Sequence, residues 1–225
     1  MKDVYSVNWG RIRYKEALER QQHYFNQFLK AKEEGALYLN HWISCEHPPV
    51  ITLGKHAKLS NLLYSECDLS DKGVEVVATE RGGDVTFHGL GQLVVYPIID
   101  LEEFGLGLRE YISFLEEIVI RTLRDYGLHG ERIDGAAGVW LGKNTANERK
   151  ICAIGVKSSR YVTMHGLALN VNTDLSYFSL INPCGFLNKG VTSLQKETGR
   201  FQNMNDVNET LIKHARELLD CDFFS

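Results

Sequence analysis

The sequence lacks the features that mark the specialised protein classes. Its five cysteines (Cys45, Cys67, Cys152, Cys184, Cys221) are odd in number and scattered, with no C-x-x-C pair. That excludes a disulfide framework and a structural zinc site as the organising principle. No apolar run approaches the ~18 residues a membrane-spanning helix needs. The opening stretch MKDVYSVNWGRIRYKEAL has no apolar signal-peptide core. Excess positive charge is missing too: the formal net charge is −4, so no overall basic field calls for nucleic acid or an anionic membrane. Repeats and low-complexity tracts are absent. The expectation is a cytoplasmic chain that binds neither nucleic acid nor membrane.

What is present suits one compact domain. The chain has 225 residues and 44% hydrophobic content, enough to bury a core without covalent staples. Tyr14, Leu18, Phe25, Phe28 and Leu29 share a helical face, and Gly35 stops it. Ala36–Ile43, Val50–Leu53, Val74–Ala78 and Leu93–Ile99 read as strands, and Lys55–Lys72 as a polar surface loop with room for one helical turn. Leu108, Tyr111, Ile112, Leu115, Val119, Leu123 and Tyr126 give the clearest helix, closed by Gly127. Gly138–Leu141, Ile151–Lys157 and Val162–Val171 read as strands, with Gly142–Arg149 as a hairpin loop between the first two. Leu175–Ile181 reads as a short helix and Val207–Leu219 as an amphipathic one. Strands arrive in groups with helices between groups. That predicts an α+β fold with a mixed or antiparallel sheet flanked by helices. A single domain spanning 1–225 is expected, with a small C-terminal lobe from about Val191 as a variant of that reading.

Four stretches carry chemistry. Arg81–Gln92, RGGDVTFHGLGQ, places a fixed cation, two glycine pairs, a hydroxyl and an imidazole ahead of an apolar strand. Glycines let backbone approach a ligand, and polar groups on a turn beside a rigid strand suit a binding site. The run is no phosphate cradle of a known kind. Gly89 and Gly91 lack the third glycine of a dinucleotide fingerprint and lead into a strand, and Gly138–Asn144 lacks Walker spacing. Lys150 sits where a polar loop enters the strand ICAIGVK. His165 and Gly166 open HGLALN. Cys184 lies between Pro183 and Gly185, where a turn can present its sulfur. Taken singly, each has an ordinary structural reading: a solvated lysine, a satisfied sheet histidine, a buried thiol. Cys45-Glu46-His47 is too small a cluster to argue for a metal.

Taken together, EHPPVITLG (Glu46–Gly54), RGGDVTFHGLGQLVVYPIIDL (Arg81–Leu101), RKICAIGVK (Arg149–Lys157), HGLALNV (His165–Val171) and INPCG (Ile181–Gly185) closely resemble the octanoyltransferases of lipoate biosynthesis. One departure is Leu90, where the family usually has proline. The resemblance implies the fold of the biotin/lipoate protein ligases. It implies transfer of an octanoyl group from acyl carrier protein to a lysine of lipoyl domains. Those domains belong to 2-oxoacid dehydrogenase complexes and the glycine cleavage H protein. Neither cofactor nor metal is implied. Carried over by position, the nucleophile, and so the site of an acyl-thioester intermediate, falls on Cys184, and the lysine that lowers its pKa on Lys150. Substrate contacts fall on Arg81, Gly82, Gly83, Asp84, Val85, Thr86, Phe87 and His88, on Ala153, Ile154 and Gly155, and on Gly166, Leu167 and Ala168. His88 and His165 are expected to orient groups. Lys55, Lys58, Arg149, Lys157 and Arg160 are expected, from charge alone, to face an acidic carrier.

Overall fold

The computed structural model describes residues 3–182 and 190–224. The chain opens with β1 (Val4–Arg11) and α1 (Tyr14–Glu34), whose Tyr14, Ala17, Gln21, Phe25 and Phe28 are buried at steps of three and four. Gly35 ends α1 in left-handed conformation, φ 64°, and Ala36 N–H bonds back to Ala31 O. The strand expected at Ala36–Ile43 therefore starts later, as β2 (Asn40–Glu46), because Ala36 still closes the helix cap and the pairing with β1 begins only at Asn40. β3 (Val50–Leu53), α2 (Glu66–Asp71) and β4 (Glu75–Ala78) follow; α2 is begun by a reciprocal cap between Ser65 and Asp68. A third of the glycine-rich stretch is strand, β5 (Val85–His88), and β6 (Gln92–Ile98) is buried throughout. Next come α3 (Leu108–Asp125), β7 (Gly138–Leu141), β8 (Arg149–Ser159) and β9 (Val162–Asn170). Past a 3-10 turn at Leu175–Leu180 lie β10 (Gly190–Val191), α4 (Leu194–Thr198), α5 (Met204–Leu219) and β11 (Phe223–Phe224).

The main sheet runs β10-β8-β9-β6-β2-β1-β11, with β7 attached to β8. β8, β9, β6 and β2 pair antiparallel in turn, while β2–β1, β1–β11 and β10–β8 are parallel. The sheet is therefore mixed, and the α+β expectation holds. Alternation along β9 sends Leu167 and Leu169 toward α3 and α5, and Met164 and Ala168 toward α1. Leu194, Val207, Leu211, Ala215 and Leu219 enter the same core as α3, so the residues after Val191 pack on the main sheet.

A second sheet, β4-β3-β5, has its own apolar underside of Ile51, Val85, Phe87, Leu69 and Phe178. It meets the main sheet through the loop Arg81–Asp84. Gly82 N–H donates to Val156 O at 2.9 Å, and a Cβ on Gly155 would stand 2.8 Å from Gly82 O. Glycine at 155 is what allows the two backbones to close on each other. A slot between the sheets results.

Candidate functional site

That slot is a cavity of about 520 Å³. Its walls include Arg81–Thr86 and His88, the β8 residues Lys150 and Ala153–Val156, and the β9 residues His165–Ala168. The size lies within the range of small-ligand sites. Small side chains make it possible. Ala153 pairs with Ala168 and Gly155 with Gly166 across β8 and β9, so a strip of the sheet has almost no side-chain bulk. Gly166 also carries its strand past β6 so closely that a Cβ would lie 2.2 Å from Val95 O.

A directed chain of hydrogen bonds runs along one wall. Arg81 donates from Nε and Nη2 to Thr52 Oγ1 at 3.2 and 2.9 Å. That leaves the Thr52 hydroxyl to donate to His88 Nε2 at 3.3 Å. His88 Nδ1–H donates to Gln92 Oε1 at 2.8 Å, Gln92 Nε2 to Asn170 Oδ1 at 2.9 Å, and Asn170 Nδ2 to Thr192 O at 3.0 Å. The chain links the glycine-rich loop to Thr192, whose N–H donates to Lys150 O at 2.9 Å. Arg81 also donates to Thr52 O and Asp84 O at 2.7 and 2.8 Å, so it shapes the loop as well as lining the cavity. Asp84 accepts from Asn61 Nδ2 at 2.6 Å and from Lys58 N–H at 3.1 Å, anchoring the Lys55–Lys72 segment.

Burial keeps the nearby imidazoles neutral. Desolvation, with the positive field of neighbours including Arg81, lowers His88 to about 3. Desolvation, then Arg81 and Lys157, lowers His165 to about 3. His47 is lowered by desolvation to about 4, with Nδ1–H donating to Ile12 O at 2.8 Å and Nε2 accepting from Tyr96 OH at 2.6 Å. His165 sits at φ 63°, its backbone N–H held by Gln21 Oε1 at 3.2 Å, and neither ring nitrogen has a partner among the described residues. A neutral ring of that kind offers an occupant one N–H and one lone pair. Tyr14 stacks on His88 with ring centroids 5.7 Å apart, and burial pushes its phenol up to about 12.

Of the residues singled out from the sequence, the cavity gathers Arg81–Thr86, His88, Lys150, Ala153, Ile154, Gly155, Gly166, Leu167 and Ala168. Phe87 is turned into the core of the small sheet, stacked on Tyr177 at 4.9 Å. Cys184 lies outside the described residues. Both flanks of its segment sit near the cavity: Asn182 N–H bonds to Asn61 O at 2.8 Å, and Gly190 and Val191 pair with Arg149 and Lys150. Three of the cations read as carrier-facing are engaged elsewhere. Arg149 holds Glu197 through two contacts at 2.7 and 2.6 Å, Lys157 pairs with Glu80, and Arg160 with Glu33. Lys55 and Lys58 are exposed.

Sequence reasoning missed Thr52, Tyr14, Gln92, Asn170 and Trp140. Gln92 and Asn170 stand inside the motifs that were read and could have been noticed as polar residues in apolar strands. Tyr14 read as one more residue of a helical face. Among the described residues, no group of three His, Cys, Asp or Glu side chains could hold a metal. No helix there is long and apolar enough to cross a membrane.

A mixed sheet flanked by helices is the fold this chain shares with lipoate and biotin protein ligases. The lipoate protein ligase of the bi-partite Thermoplasma acidophilum system superposes with TM-score 0.66 at 17% identity, over 100% of this chain and 87% of that one. A biotin protein ligase from Aquifex aeolicus gives 0.52 at 14%, over 98% and 71%. The family model for the lipoyl protein ligase A/B catalytic domain matches residues 13–216. Octanoyltransferases from Bacteroides fragilis strain YCH46 and Flavobacterium johnsoniae are 55% and 45% identical; the alignments cover 95% and 98% of this chain, and 96% and 98% of theirs. The chain belongs to that family, with the octanoyltransferases of lipoate biosynthesis, and is an acyltransferase.

Proposed function

We propose that the protein takes an octanoyl group from the thioester of acyl carrier protein onto Cys184 and passes it to a lysine of a lipoyl domain. The carrying observation is that the chain, on leaving the Cys184 segment, pairs at once with the strand of Lys150: Val191 stands opposite Lys150. A lysine on the cavity wall, opposite the first residues after that segment, is what a thiol needs. An unperturbed thiol near pKa ~8.5 is only a few per cent thiolate at neutral pH, and a nearby ammonium favours the anion.

The steps balance without an external energy source. The Cys184 thiolate attacks the donor thioester carbonyl, and the carrier thiolate departs and takes up a proton. Thioester exchange is nearly isoenergetic. The acceptor lysine, as the neutral amine, then attacks the Cys184 thioester. An amide forms, the amine loses a proton, and the cysteine thiolate is regenerated. The small-residue strip Ala153, Gly155, Gly166 and Ala168 suits the tail; six methylenes buried at ~0.8 kcal/mol each contribute at most ~5 kcal/mol. The buried imidazoles of His88 and His165 are too weakly basic to take the amine proton, so their part is to hydrogen-bond and orient.

Mass spectrometry after incubation with octanoyl-acyl carrier protein, without ATP, tests the reading. The expected product is an octanoyl adduct on Cys184 that disappears when a lipoyl domain is added and reappears on its lysine. Transfer only when ATP and free octanoate are supplied would point to a ligase mechanism and overturn it. Cys184→Ser with undiminished transfer would do the same.

A further inference from the structure

Lys150 reaches the cavity because of an irregularity in β8. Its pairing with β7 runs Gly138↔Ala153 and Val139↔Cys152, then jumps to Trp140↔Lys150 and Leu141↔Arg149. Ile151 is the extra residue, and both Ile151 and Cys152 enter the core shared with α3. Strict alternation would send Lys150 to the side of Cys152 and Ile154. The bulge returns it to the side of Ala153 and Gly155.

The same jump sets Trp140 against Lys150. The ammonium lies 4.6 Å from the indole ring centroid and donates to Ala137 O at 3.1 Å. Trp140 is 1% exposed and cannot swing: its Nε1–H donates to Ala136 O at 3.0 Å, and its backbone exchanges two hydrogen bonds with Glu131 at 2.8 and 2.9 Å. The turn that presents these carbonyls is pinned as well. Gly138 has φ 121°, a Cβ there would lie 2.4 Å from Cys152 O, and its N–H donates at 3.0 Å to the buried carboxylate of Glu116. Arg132 holds the other oxygen of that carboxylate at 3.2 Å.

We infer that Trp140 is a positioning residue for Lys150: its ring face and the Ala137 carbonyl, locked together through the Ala136–Gly138 turn, hold the lysine as an ammonium at the wall of the acyl cavity. A π face and a carbonyl oxygen both attract a cation and do far less for a neutral amine. Lys150 then serves as a standing positive charge. The inference rests on the reading of Lys150 as the partner of Cys184, and the experiment separates the two.

Full-length Trp140→Leu, Trp140→Phe and Lys150→Gln proteins are compared with wild type, with folding checked by circular dichroism. Two pH profiles are read by residue-resolved mass spectrometry: acetylation of Lys150, which needs the neutral amine, and alkylation of Cys184, which needs the thiolate. Trp140→Leu is expected to move the Lys150 midpoint down by about one pH unit, roughly tenfold more reactive below the midpoint, and the Cys184 midpoint up. Trp140→Phe, which keeps a weaker ring face, recovers part of both. A folded Trp140→Leu protein with both midpoints at their wild-type values overturns the inference. Should Trp140→Leu fail to fold, the Lys150 midpoint in Trp140→Phe decides: a fall supports it and no change refutes it. An unaltered Cys184 profile in Lys150→Gln would remove the lysine–cysteine pairing, while the Lys150 midpoint in the Trp140 proteins still decides the role of Trp140.

Discussion

His47, His88 and His165 are buried as neutral rings, and the cost of that choice appears in acid. Each has a folded pKa, about 4, 3 and 3, below the ordinary 6.5. Above pH ~6.5 neither the folded nor the unfolded chain protonates them, and their contribution to stability is whole. As pH falls from ~6.5 toward 4 the unfolded chain binds protons that the native state refuses, and stability is lost. Thermal unfolding at pH 5 is therefore expected well below that at pH 7.5. His165→Asn, which keeps a residue tolerant of φ 63°, should lose less over that interval; an identical loss would contradict the assignment. Proton NMR should find no titration of these three rings between pH 5 and 8. The thiols divide on the same physics. Burial pushes Cys152 up to about 12 and Cys45 higher still, whereas Cys67 is exposed. Iodoacetamide at pH 8 is expected to label Cys67 and spare Cys45 and Cys152 in the native protein, as peptide mapping would show.

Secondary elements respond according to what surrounds their glycines. Gly166→Ala would drive a Cβ into Val95 O and Pro97 Cδ, both in the middle of the main sheet. Gly155→Ala meets Gly82 O and, at 3.3 Å, Arg81 Cδ, which belong to a loop. The first change is expected to destabilise by the ~1–3 kcal/mol of overpacking, read from a urea melt. The second should lower stability less and raise KM for the acyl donor, because the loop moves off the cavity wall. Equal losses of stability would show that the loop is no softer than the sheet. The strand errors of the sequence reading belong here as well. β5 (Val85–His88) hides inside the glycine-rich stretch because Gly82, Gly83 and Gly89 flank it on both sides and read as turn. β1 escaped because its half-exposed residues alternate weakly, and its pairing with β2 and β11 is invisible along the chain.

Across the whole molecule, one ion pair ties the end of the chain to the site. Glu197 grips Arg149 at the start of β8 and also accepts from Thr192 Oγ1, beside β10. Glu197→Gln is expected to cut kcat for octanoyl transfer more than it cuts stability, since it loosens the junction of Lys150 and Val191 rather than a core. A fall in urea midpoint with unchanged kcat would assign Glu197 to stability alone. Octanoate filling the cavity should raise the unfolding temperature with the logarithm of its concentration, about 2.7 kcal/mol at a hundred times Kd. No rise at millimolar octanoate would place the acyl tail elsewhere.

By itself the sequence determined the periodic elements α1, α3, α5, β6 and β9, the α+β class, and the motifs whose residues gather in the cavity. Those follow from spacing, caps and local backbone demands, which act over a few positions of chain. Only the tertiary structure decided that Phe87 leaves the cavity for the small sheet. It alone showed that Arg81 reaches Thr192 through Thr52, His88, Gln92 and Asn170, and that Lys150 faces the cavity at all. Alternation along ICAIGVK points that lysine to the other side. The extra residue Ile151 is recognisable only once β7 is laid beside β8, because a bulge is a property of two paired strands and one strand alone does not reveal it.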